Sequence, residues 1–154
     1  MKSLRIVLIA LVVILISIQF ITSPLNKSDY LPDSDFSKIY SVPGDVQMIL
    51  KTSCFDCHSN NTRYPWYSKI QPFGWLLASH IRDGKEDLNF NEFGNYSARR
   101  KKSKLKSIGN VLKDGTMPLK SYLLLHPDAR LSKLEENKIN AWLEILKDSL
   151  NRNE

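Results

Sequence analysis

The chain has 154 residues, 42% of them hydrophobic and 25% charged, with a formal net charge of +6. That length supports one ordinary core and argues against several domains. Two cysteines and three histidines exclude a zinc site built from two Cys-x-x-Cys pairs.

The charge is local. Beyond residue 24 there are 20 Lys+Arg against 16 Asp+Glu, and Arg99, Arg100, Lys101, Lys102, Lys104 and Lys106 alone outnumber that excess.

In chain order, Lys2 and Arg5 precede an apolar run over 6–21 that only Ser17 and Gln19 interrupt. As a helix, at ~1.5 Å per residue, 4–21 would extend roughly 27 Å, close to the hydrocarbon thickness of a bilayer. We read 1–23 as an uncleaved transmembrane signal anchor in a bacterial inner membrane, its basic end cytoplasmic and the remainder periplasmic. A cleaved export signal is the alternative, although Phe20-Ile21-Thr22-Ser23-Pro24 lacks an Ala-x-Ala exit. Residues 24–41 show no sustained apolar period and read as a linker. Residues 42–150 then form the domain, and 151–154 a tail.

Pro43 suits a first helical turn, and Val46, Ile49 and Leu50 fall at i, i+3, i+4. This helix runs into Cys54-Phe55-Asp56-Cys57-His58. Two thiols at that spacing can add to the vinyl groups of a porphyrin, and a histidine directly after them can bind its iron. We therefore expect one covalent haem c on Cys54 and Cys57, with His58 as the proximal iron ligand. A thioredoxin-type redox pair would need a βαβ context, which is missing. A short disulfide between the two cysteines is the remaining alternative.

The polar turn over 59–62 leads to Tyr64-Pro65-Trp66-Tyr67, rings that could wall a haem edge or simply pack. A helix from about Pro72 places Phe73, Leu76, Leu77 and Ile81 on one stripe, and His80 falls on that stripe. His80 is thus either a core histidine or an alternative distal iron ligand, and Gly84 offers a left-handed cap to end the helix. Residues 88–93 read as an extended piece or a loop. A third helix from Ser97, carrying Leu105, Ile108 and Leu112, ends at Asp114-Gly115. Its basic face over 99–106 could dock an acidic redox partner, lie against anionic lipid, or serve only as a solvated surface. Nucleic acid is not an expected partner of an exported domain.

Met117, in the loop Gly115-Thr116-Met117-Pro118, can reach the haem face opposite His58, and thioether ligation raises the iron's potential relative to two imidazoles. The bland reading is a methionine filling a core gap. His126, followed by Pro127, reads as structural. Ser132 and Glu135 have capping-box spacing, and the helix they open carries Ile139, Trp142, Leu143, Leu146 and Leu150 on one face.

On the strength of Cys54-Phe55-Asp56-Cys57-His58-Ser59-Asn60, Pro65-Trp66-Tyr67-Ser68, the helix through Trp75 to His80, Leu88-Asn89-Phe90, Met117-Pro118 and His126-Pro127, the chain resembles the bacterial haem-binding-domain proteins, small secreted or anchored relatives of the cytochromes c. The resemblance implies an all-α, class I cytochrome c-like domain around one haem, here preceded by the transmembrane helix, with His58 proximal and Met117 distal. The function expected is a membrane-anchored one-electron carrier without enzymatic activity. The alternative is a peroxidase-like enzyme or a gas or redox sensor with an open distal site, for which His80 and Arg82 are the nearest polar groups.

Overall fold

The structure, a computed structural model, describes residues 2–152. All regular elements among them are helical. The α-helices are α1 (Lys2–Ile18), α2 (Phe36–Ile39), α3 (Gly44–Ser53), α4 (Phe55–His58), α5 (Phe73–Asp87), α6 (Ala98–Lys113), α7 (Lys120–Leu123) and α8 (Lys133–Arg152). Short 3-10 turns cover Trp66–Lys69, Phe90–Asn95 and Pro127–Ala129.

The transmembrane anchor expected over 1–23 is overturned. Among the described residues no helix is long and apolar enough to cross a membrane. α1 has 17 residues, about 25 Å of helix against a hydrocarbon core of about 30 Å. It stops because the next residues bond to the domain instead of continuing the helix. The Gln19 side chain donates to Gln71 O at 3.2 Å and accepts from Gln71 N at 2.9 Å. Trp75 Nε1 then donates to Ile21 O at 2.9 Å. Farther along, Asn26 Nδ2 donates to Ser59 O and Thr62 Oγ1.

The stretch over 24–41 does more than connect. Asp35 caps α2 by accepting from Ser37 N at 2.8 Å, and α2 inserts Phe36 into the centre of the core. Its ring meets Tyr40, Phe90, Phe93 and Trp142 edge-on. The other walls of that core are Val46, Ile49 and Leu50 from α3, Leu105, Ile108 and Leu112 from α6, and Ile139, Trp142, Leu143 and Leu146 from α8. The apolar periods expected for these three helices are thus the buried faces. α8 packs on α6 more extensively than on α3, and its capping box forms: Ser132 N donates to Glu135 Oε2 at 2.8 Å, and Glu135 N to Ser132 Oγ at 3.3 Å. α6 is capped by Ser97 and followed by Gly115 at φ 60°, a left-handed turn that glycine adopts without a Cβ penalty.

α5 departs from its expected form twice. Of the stripe, Leu77 and Ile81 are buried while Phe73 and Leu76 are exposed. Gly84 lies inside α5, which continues to Asp87, and does not cap it. Its missing side chain serves packing: a Cβ there would lie 2.9 Å from Cys57 O and 3.2 Å from Cys57 Cβ. α4 and α5 approach that closely only because residue 84 has no side chain.

Candidate functional site

α3 hands the chain to α4 at Cys54, whose N–H donates to Leu50 O, so Cys54 sits at the helical break and Cys57 one turn into α4. Cys54, Cys57 and His58 line one cavity of about 460 Å³, together with His80 and Asp83 from α5, Met117 from the loop after α6 and Tyr122 from α7. The volume falls in the range of about 300–1,000 Å³ usual for ligand clefts. An adjoining pocket shares Cys54, His58 and Met117 with this cavity; there Leu88, Phe90, Ile108 and Leu112 give apolar walls and Lys104 and Asp87 stand together, paired at 2.7 Å.

His58 Nδ1 faces two carbonyl oxygens, Gly84 O at 2.8 Å and Leu88 O at 3.0 Å. Carbonyls only accept, so Nδ1 carries a proton, and in the neutral imidazole the lone pair is then on Nε2. The imidazole thereby closes the C-terminal end of α5, and the carbonyls fix its ring and raise its basicity as a ligand. This arrangement fits an iron porphyrin: two thiols, an oriented imidazole with a free Nε2, and an apolar slot beside them.

Both cysteines are free and only partly exposed. Burial pushes the Cys54 thiol up to about 12, helped by the neighbouring Cys57. Burial, then the Asp56 carboxylate, pushes Cys57 up to about 11. Raised folded values keep both groups protonated through neutral pH, and thiolate forms only as pH climbs toward those values. In the haem-free chain at pH 8, alkylation by iodoacetamide should therefore run on the order of tenfold or more slower than in the urea-unfolded chain. Equal rates would remove this account of the thiols.

Asp56, between the cysteines, is buried yet fully bonded. Its Oδ1 accepts from Arg63 N at 2.9 Å and Nε at 3.2 Å; its Oδ2 accepts from Arg63 Nη2 at 2.9 Å and from the Tyr122 hydroxyl at 2.7 Å. Burial, then that bond to Asp56, raises the Tyr122 phenol well above its ordinary value. Tyr122 also stacks on His126, centroids 4.0 Å apart and planes at 7°. His126 thus supports a ring of the cavity wall. Asp56, Arg63 and Tyr122 were not legible as a group, because a contact 66 positions apart leaves no periodic trace.

Residues of the aromatic stretch are absent from the cavity lining. Trp66 is exposed, Tyr67 packs edge-on against His126, and the Tyr64 hydroxyl accepts from Asn26 N at 2.6 Å. Arg82 points outward, paired with Asp83 at 2.8 Å.

The family model of a haem-binding domain matches residues 13–145. The chain belongs to this haem-binding domain family. The matched span includes Gln19, Ile21 and Asn26, whose bonds to later parts of the chain are described above. No curated protein and no solved structure matches the chain.

Proposed function

We propose that this haem-binding domain is a monohaem c-type electron carrier, with Cys54 and Cys57 as thioether attachment points, His58 as proximal ligand and Met117 as distal ligand. The observation that carries the reading is the convergence of all four on one apolar cavity, with the His58 ring already oriented by two carbonyls. The bound haem would supply a one-electron couple. The protein's part is to fix the imidazole, exclude water with Leu88, Phe90, Ile108 and Leu112, and present the Met117 thioether to the same cavity.

Covalent attachment to a Cys-x-x-Cys-His segment belongs to the outer side of the bacterial inner membrane, so we place the domain in the periplasm. The basic run over 99–106 lies on α6, and Lys104 lines the adjoining pocket. We take this face as the dock for an acidic redox partner, an attraction that salt would screen.

His80 lines the same cavity and is the rival distal ligand. The test is the absorption spectrum, oxidised and reduced, of the chain exported in a host that attaches haem, alongside Met117→Ala and His80→Ala. Met117→Ala should remove the weak far-red sulfur-to-iron band and lower the potential; His80→Ala should leave both in place. Loss of the low-spin spectrum in His80→Ala alone would transfer the role to His80. A high-spin parent spectrum would favour a sensor or enzyme with an open sixth position.

A further inference from the structure

We propose that the hydrogen bond from Tyr122 to Asp56 is a clamp that holds the Met117 loop against the cavity, making Tyr122 a positioning residue for the distal ligand. The inference rests on the assignment of Met117 as that ligand.

The loop leaves α6 at Gly115 and is tied at its start by Thr116, whose N–H and hydroxyl both reach Val111 O, at 3.1 Å and 3.3 Å. Met117 follows immediately, 37% exposed on the cavity lip. On its other side the next side-chain attachment to the α4 segment is Tyr122 on α7, through the 2.7 Å bond to Asp56 Oδ2. The methionine therefore sits between two ties, and only the second refers it to the helix that carries Cys57 and His58.

Asp56 is suited to the fixed end of such a clamp. Three bonds from Arg63 hold the carboxylate regardless of Tyr122, and the Thr62 hydroxyl donates to Asp56 O at 2.6 Å. Its place inside the Cys-x-x-Cys-His segment makes it rigid with the attachment points. Breaking the bond would thus release the loop and leave α4 in place. Hydrogen bonds to charged acceptors are among the stronger in proteins, so one bond is enough to set how often the lip opens.

The test compares the exported holoprotein with Tyr122→Phe, a change that keeps the ring and its stacking on His126. Imidazole, added to the ferric protein and followed by absorbance, should bind about tenfold more tightly to the variant, and the reduction potential should fall. Amide hydrogen exchange over 117–123 should quicken while α8 stays unchanged. Unchanged loop exchange would overturn the clamp, and faster exchange with unchanged imidazole affinity would overturn the positioning role. Should the parent chain be exported without covalent haem, the functional reading fails instead, and the exchange comparison on that chain still decides the clamp.

Discussion

Replacing Phe36 by alanine should destabilise the domain by about 3–5 kcal/mol, the range for deleting a buried aromatic side chain from a packed core. Phe36 is 2% exposed, and its centroid lies 4.7 Å from Phe93, 5.3 Å from Phe90 and 5.3 Å from Trp142. It joins α8 to the turn over Phe90–Asn95, which in turn follows the Leu88 carbonyl that orients His58. The loss would remove a large share of a typical stability of about 5–15 kcal/mol. A urea midpoint compared between parent, Phe36→Leu and Phe36→Ala measures it, with leucine expected to retain most of the stability. A loss under about 1 kcal/mol would mean that α2 lies on the core and is not part of it.

This residue also shows where the sequence could and could not be read. α3, α6 and α8 were legible because each carries enough apolar residues at helical spacing to define a face, and Ser97, Ser132 and Glu135 mark where two of them start. α2 has four residues, too few for a period, so its phenylalanine was hidden in a polar stretch. The apolar run at the N-terminus misled for a different reason. Hydropathy counts residues through Ile21, but the helix ends where Gln19 finds Gln71, a partner 52 positions away. Gly84 misled likewise, since glycine near a helix end suggests a cap, whereas here it admits Cys57. At the site, Cys54, Cys57 and His58 were readable from local spacing alone. The network of Asp56, Arg63 and Tyr122 was not, because only the folded chain brings α7 to α4.

Changing both Cys54 and Cys57 to serine should abolish covalent haem, while His58→Ala should retain it and lose the parent's low-spin spectrum. The two outcomes separate attachment from ligation, which we propose for different side chains of one short segment. Serine keeps the volume of the thiols but cannot form a thioether, so any haem left in the double variant should be removed on denaturation. In His58→Ala the thiols are untouched, but no imidazole Nε2 faces the cavity from α4. That variant also leaves the carbonyls of Gly84 and Leu88 without their imidazole donor. Gly84 O still accepts from Leu88 N at 2.9 Å, so Leu88 O is the group left needing a partner, at a cost of about 1–3 kcal/mol if water does not replace it. Added imidazole should restore the low-spin spectrum of His58→Ala by entering the space of the lost ring. Haem still attached to the double serine variant after denaturation would refute the thioether assignment, and an unchanged spectrum in His58→Ala would show that the iron takes its proximal ligand from elsewhere.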